Sequence, residues 1–195
     1  MILGITGGFG CGKSSVLRFF ESRSYFTLDA DEVCRSFYDL KHPLLMAAIR
    51  ENFGKNCFTP DGGADKKALA KILFDAPEKM SVITQVIYPL LTERINSAIE
   101  LCRAKNIHGA FELPLLYEAG FEKCFDAVLA VWCPAELRKK RLAGRGFTPE
   151  EVDKRDKMQI PPEEKLERAN FAVINSGSPD DLLCQLQKAV QLWEK

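Results

Sequence analysis

Short apolar runs alternate along the chain with longer stretches in which apolar positions recur at helical spacing. Residues 2–6 are a short apolar run of the length of a buried strand. Behind them Val16, Phe19 and Phe20 fall at i, i+3 and i+4 within residues 14–22, the stripe of an amphipathic helix. Residues 25–28, 107–113, 127–133 and 171–175 are four further strand-length apolar runs, and helical stretches separate them. That alternation predicts an α/β protein with a parallel sheet. Two helix starts are marked by a capping residue, a proline at the first helical position and an acid beyond it: Thr148-Pro149-Glu150-Glu151 and Ser178-Pro179-Asp180-Asp181. The last helix should carry Leu182, Leu183, Leu186, Val190 and Trp193 on its apolar side. The long interval 32–106 reads mostly as helix, and Pro89 should bend or restart one of its helices.

Between the first strand and the first helix lies Gly-Gly-Phe-Gly-Cys-Gly-Lys-Ser-Ser, residues 7–15. Gly7, Gly12, Lys13 and Ser14 satisfy G-x-x-x-x-G-K-[ST], the phosphate-binding loop of P-loop nucleotide-binding proteins. Its glycines let successive N–H groups turn inward around phosphate oxygens. Lys13 adds positive charge, and the Ser14 hydroxyl can ligate Mg²⁺. Strand, loop and helix stand in the required order, so the helix dipole would point at the phosphates.

Composition narrows the setting. At 195 residues the chain suits one α/β domain with a small insertion. Its 27 basic and 27 acidic residues balance, so global charge gives no argument for nucleic acid or membrane. No signal peptide opens the chain, and no apolar run approaches the roughly 20 residues of a membrane span. Seven scattered cysteines without C-x-x-C spacing favour reduced thiols, hence a cytoplasmic protein, over a disulfide framework or zinc site.

Several residues are candidates for chemistry. Asp29 and Asp31 follow the second strand, and ligands of parallel sheets bind beyond the carboxyl ends of strands. One could orient and deprotonate an acceptor hydroxyl while the other binds Mg²⁺ through water; alternatively either one caps the next helix. Arg138, Lys139, Lys140, Arg141 and Arg145 form a basic run in which Arg138, Arg141 and Arg145 share one helical face. No acid interrupts the run, and Gly144 and Gly146 suggest a hinge, so it reads as a mobile lid over ATP rather than a solvated charged face. Glu112, ending the third strand, either holds the water shell of Mg²⁺ or bonds nearby backbone. Cys11 either sits where loop amides and Lys13 favour its thiolate, so that thiol reagents would inactivate the protein, or is a small residue chosen only for fit. His42 and His108 stand apart, with no metal or catalytic role, and Tyr88 and Phe111 read as core or pocket wall.

On these residues the sequence resembles the dephospho-CoA kinase family from Ile2 to the C-terminal helix. The opening Thr6-Gly7-Gly8-Phe9-Gly10-Cys11-Gly12-Lys13-Ser14, then Asp29-Ala30-Asp31, then Pro114-Leu115-Leu116-Tyr117-Glu118, follow that family's order. Arg141 with Arg145, Arg155 with Gln159, and Asn175 with Gly177 are similar to its later markers. The resemblance implies a P-loop NTPase fold with a five-stranded parallel sheet flanked by helices, a helical acceptor-binding insertion (about 32–106) and a lid (about 136–160), the core being 1–31 and 107–195. It implies ATP-dependent phosphorylation of the ribose 3′-hydroxyl of dephospho-CoA. Asp31 would be the base, Lys13 and Arg141 the charge stabilisers, and Ser14 the Mg²⁺ ligand. ATP would be bound by Gly8, Gly10, Cys11, Gly12, Lys13, Ser14, Ser15, Arg145 and Asn175, the last near adenine. The acceptor would meet Asp31, Tyr88, Pro114 and Leu115. Tyr88-Pro89 stands where the family usually has His-Pro, Cys11 for a usual serine, Asn170 for a common aspartate, and Lys66-Lys67 for a common arginine. The expected partners are ATP and dephospho-CoA, without nucleic acid or membrane, in a monomer or small homo-oligomer. The rival readings are another small-metabolite kinase and a nucleotide switch, but the Asn-Lys-x-Asp guanine reader of a GTP switch is absent from the sequence.

Overall fold

The computed structural model describes residues 1–193. In chain order it contains β1 (Ile2–Gly7), α1 (Lys13–Ser22), β2 (Phe26–Asp29), α2 (Ala30–Asp39), α3 (Pro43–Phe53), α4 (Lys66–Asp75) and α5 (Met80–Ala104). There follow β3 (Gly109–Glu112), β4 (Ala127–Trp132), α6 (Ala135–Ala143), α7 (Pro149–Asp156), α8 (Pro162–Arg168), β5 (Phe171–Ile174) and α9 (Pro179–Trp193). The chain divides into two compact units, the first made of residues 1–29 and 99–193 and the second Ala30–Ala98.

The first unit is built on the sheet. Its strands are all parallel, in the order β2-β3-β1-β4-β5. Every residue of β1 is buried, as expected of a central strand covered on both faces. On one face Leu3 and Ile5 pack with Val16, Phe19 and Phe20 of α1 and Leu182, Leu186 and Val190 of α9. On the other the approach is closer: a Cβ on Gly4 would lie 2.7 Å from both Leu116 Cδ1 and Phe125 Cδ2. Because all strands run one way, their carboxyl ends share one edge of the sheet, and the loop after β1 leaves from that edge.

The second unit has its own core, in which Leu45 and Ile49 of α3, Leu69 of α4, and Ile83 and Ile87 of α5 surround Cys57. Asp65 caps α4 by accepting from Lys67 N and Ala68 N.

Local differences from the sequence reading have physical causes. Tyr25 lies before β2 because its N–H closes the end of α1 on Phe20 O. β3 starts at Gly109 because Ile107 N–H bonds back to Cys102 O and Asn106 adopts φ 51°, finishing α5 first. Pro89 does not restart a helix: α5 runs 25 residues through it. Pro89 and Gln85, whose carbonyl loses its usual i+4 donor, are both exposed, so water can serve that carbonyl. Leu183 is 40 % exposed rather than part of the core face of α9. The capping box at Thr148 and Glu151 is present, and Ser178 with Asp181 builds the same reciprocal pair before α9. Among the described residues no helix is long and apolar enough to cross a membrane.

Candidate active site at the phosphate loop

The loop between β1 and α1 is held by its carbonyl oxygens. Lys13 Nζ donates to Gly7 O (3.2 Å) and Gly8 O (3.3 Å). Arg138 Nη1 donates to Phe9 O (3.0 Å), and Asn175 Nδ2 to Cys11 O (2.8 Å). In a trans peptide the C=O and the next N–H point in opposite directions. Fixing the oxygens of Phe9 and Cys11 on one side therefore turns the N–H groups of Gly10 and Gly12 to the other, where an anion can be bound. Two glycines are required by the geometry. Gly7 has φ 145°, and a Cβ there would lie 2.2 Å from Val131 O. Gly12 has φ 96°, and a Cβ there would lie 2.1 Å from Asn175 Nδ2. Ser14 and Ser15 are exposed in the first turn of α1, while Lys13 is buried.

The basic run divides by function. Arg138 is 7 % exposed and tied to Asp156 by two bonds of 2.6 and 2.7 Å, which raise its pKa further. The run is therefore neutralised in part, by an acid 18 residues away. Arg141 donates from Nη1 to Asn175 O (2.9 Å) and from Nη2 to Asn175 Oδ1 (3.3 Å). Arg145 does not share their helix: α6 ends at Ala143, the chain turns through Gly144 and Gly146 (φ 85°), and Arg145 is exposed. Asn175 thus links Arg141 to the loop. A cavity of about 490 Å³ opens beside them, lined by Gly10, Gly12, Ser15, Arg141, Arg145 and Asn175 on its polar side and by Leu182, Leu183 and Leu186 on its apolar side. The exposure of Leu183 is explained by this cavity, whose mixed lining suits a nucleoside attached to phosphates.

At the sheet edge Glu112 is buried at the end of β3 and pairs in register with Asp29 of β2, so two carboxylates stand side by side. Pro114 and Leu115, half-buried, follow β3. Asp31 and Tyr88 belong to the second unit: Asp31 is in the first turn of α2, and Tyr88 is an exposed residue of α5. Phe111 is wholly buried core.

The structure decides between the two readings of Cys11 in favour of packing. Cys11 is fully buried within the hydrophobic cluster. Burial pushes its thiol up, outweighing the pull of Lys13 and Arg138 towards thiolate. It fills space beneath the loop. The structure also brings forward Lys165, which the sequence reading passed over. It is wholly buried and bonded to Glu118, Gln159 and Pro114 O. No local pattern marks it, since lysines are almost never fully buried unless paired and its partners lie elsewhere in the chain.

Comparison with known proteins agrees with this geometry. The sequence model of the dephospho-CoA kinase family matches residues 1–181. A dephospho-CoA kinase of Aquifex aeolicus is 33 % identical over 189 residues, 97 % of this chain and 95 % of that protein. Among solved structures, TT1252 from Thermus thermophilus superposes with a TM-score of 0.81 at 33 % identity, covering 100 % of this chain and 98 % of its own. The dephospho-CoA kinase from Campylobacter jejuni does so with a TM-score of 0.74 at 25 % identity, covering 97 % and 95 %. A match of this length, over a sheet and a phosphate loop of the kind described, means that the chain belongs to the dephospho-CoA kinase family.

Proposed function

We propose that this chain transfers the γ-phosphoryl group of ATP to the ribose 3′-hydroxyl of dephospho-CoA, giving CoA and ADP, the last step of CoA biosynthesis. The observation that carries the phosphoryl-transfer part is the loop whose oxygens are bound away by Lys13, Arg138 and Asn175. The acceptor follows from membership of the family.

ATP would lay its β- and γ-phosphates on the amides from Gly8 to Ser15, with its nucleoside in the cavity beside Asn175 and Leu183. Lys13, Arg141 and Arg145 would neutralise charge on the migrating group, which is most of what phosphoryl transfer asks of a protein. The segment 136–160 would act as a lid that excludes water, 32–106 would be the acceptor-binding part, and the acceptor would meet Tyr88, Pro114 and Leu115. Asp31 would align the hydroxyl for in-line attack and take its proton. The oxygen donors suit Mg²⁺: Ser14 offers an exposed hydroxyl, and Asp29 and Glu112 offer paired carboxylates at the strand ends. The ion, when bound, would supply positive charge against the phosphates. Ser14 would hold it directly, and the carboxylates would order its water.

The test is ADP release from ATP with dephospho-CoA and, in parallel, nucleoside monophosphates. Stimulation by dephospho-CoA alone, with a 3′-phosphorylated product by mass, is expected; stimulation only by another acceptor would refute the acceptor assignment. Asp31→Asn should reduce turnover by about 10²-fold or more while ATP affinity holds within about threefold. Near-normal turnover would remove Asp31 as the base.

A further inference from the structure

A lysine with no exposure is expensive to bury, and an apolar residue of similar volume would often serve stability as well or better. The contacts of Lys165 show what the charge is for. Its Nζ lies 2.9 Å from Glu118 Oε1 and 3.3 Å from Gln159 Oε1, and it also donates to Pro114 O. Glu118 Oε1 accepts in addition from Ile160 N (2.9 Å). The ammonium therefore joins two loops: the one that leaves β3, through Pro114 and Glu118, and the one between α7 and α8, through Gln159 and Ile160. Both loops border the phosphate loop. Thr6, the residue before Gly7 in β1, places its Oγ1 3.5 Å from the same Pro114 O. A Cβ on Gly8 would lie 2.8 Å from Pro162 Cγ, so the start of α8, where the second loop ends, packs directly on the phosphate loop. At the end of α7 that leads into this second loop, Asp156 holds Arg138, which holds Phe9 O, and the Arg155 guanidinium lies 4.5 Å from the Phe9 ring centroid.

We propose that Lys165 is a positioning residue for phosphoryl transfer: its buried ammonium seats the 159–162 segment against Gly8, so that the segment following α7 and the phosphate loop keep one fixed geometry while the γ-phosphoryl group moves. This rests on the kinase reading given above. Burial lowers the lysine pKa, and the bond and charge of Glu118 oppose that lowering, so the pairing supports the charged form. The role is indirect, because Lys165 touches loop-bordering groups and reaches the reacting atoms only through them. Since ATP is gripped by the loop amides and Lys13, loss of Lys165 should reduce turnover more than it reduces nucleotide affinity.

The experiment compares Lys165→Met and Lys165→Arg with the unaltered chain. ATP affinity is measured by titration calorimetry, kcat by ADP release, and folding by urea denaturation. The kcat ratio is taken on whichever acceptor the unaltered chain phosphorylates, or on slow ATP hydrolysis if none is found. A wrong acceptor therefore leaves the comparison intact. Lys165→Met should lower kcat about thirtyfold with ATP affinity changed less than about threefold, and Lys165→Arg, which keeps the charge and the donors, should recover a substantial part of kcat. A kcat within about threefold of the unaltered chain in Lys165→Met would overturn the proposal, as would an equal loss of kcat and ATP affinity. Recovery of nothing by arginine would do the same. Should Lys165→Met fail to fold, Gln159→Leu decides, because it removes one of the ammonium's supports from the segment itself and strands no charge. It should lower kcat about fivefold at unchanged ATP affinity, and an unchanged kcat would overturn the proposal.

Discussion

The clamp on Phe9 O can be separated from the ion pair that supports it. Arg138 makes three short contacts, two to Asp156 (2.6 and 2.7 Å) and one to Phe9 O (3.0 Å). Its side chain is 8 % exposed and that of Asp156 is 33 % exposed. Breaking a fully buried pair costs about 3–5 kcal/mol. Here the partner left behind in Arg138→Met, Asp156, is a third exposed and recovers hydration, which brings that part to about 2 kcal/mol. Loss of the bond to Phe9 O adds about 1 kcal/mol, so Arg138→Met should destabilise by about 3 kcal/mol. Asp156→Asn keeps the shape and one acceptor oxygen and leaves Arg138 on Phe9 O; its cost should be about 2 kcal/mol.

Nucleotide binding should separate the two variants further. Without Arg138 the hydrogen bond from α6 to Phe9 O is lost, and Gly10, at φ 83°, tolerates other orientations of that peptide. Losing one prealigned N–H to a phosphate costs about 1.4 kcal/mol, which is tenfold in ATP dissociation constant. Asp156→Asn, in which the clamp persists, should stay within about threefold. Urea denaturation gives the stabilities, and titration calorimetry with ATP, well below either melting point, gives the affinities. Equal loss of ATP affinity in both variants would refute the reasoning, because the ion pair would then matter and the carbonyl clamp would not. ATP affinity unchanged in Arg138→Met would refute it more directly.

Two further outcomes are expected. Asn175→Ala removes the bond to Cys11 O (2.8 Å) and the acceptor for Arg141 Nη2 (3.3 Å), so stability should fall by about 1.5 kcal/mol and ATP affinity by about tenfold; calorimetry showing unchanged affinity would sever Asn175 from the loop. Stability should also decline as pH rises past 9.0 in reducing buffer. Burial raises the thiol pKa of Cys11, Cys57, Cys102 and Cys133 above their ordinary 9.0, so the folded chain holds protons that the unfolded chain releases from 9.0 upward. Lys165, with its pKa lowered below 10.5, works in the opposite sense between its folded value and 10.5, but it is one group against four. Urea midpoints measured from pH 7 to 10 should therefore be level at first and then fall, and a midpoint that rises with pH would contradict the burial of those thiols.

What could be read from the sequence was local. The strand, loop and helix at the start of the chain announce themselves because the glycines, Lys13 and the apolar stripe of α1 lie within about twenty consecutive residues, and the capping box at Thr148 needs only four. What could not be read depends on pairing at a distance. Phe9 O meets a guanidinium 129 residues on, Cys11 O an amide 164 residues on, and Arg138 an acid 18 residues on. A basic run with no acid inside it looks available for substrate, yet its first arginine is buried and held between Asp156 and Phe9 O. The thiolate and packing readings of Cys11 both stand in the sequence because the nearby positive charge is visible there and the burial that outweighs it is not.

The same distant contacts give the three arginines different tasks. A guanidinium has five N–H groups in a rigid fork. Arg138 directs Nη1 to both Phe9 O and Asp156 and Nη2 to Asp156, and it is buried; it can only hold the loop. Arg141 directs Nη1 to Asn175 O and Cys133 Sγ, which accounts for both hydrogens there, and Nη2 to Asn175 Oδ1. One Nη2 hydrogen and the Nε hydrogen remain, so Arg141 can meet a phosphate oxygen without leaving its anchor. In the proposed reaction it would be a fixed charge, aligned before substrate arrives and needing little reorganisation in the transition state. Arg145, exposed past the end of α6 between Gly144 and Gly146, lacks that anchor and is the arginine whose position a closing lid would determine. On this division Arg141 should contribute even when the lid is open, and Arg145 only once it has closed.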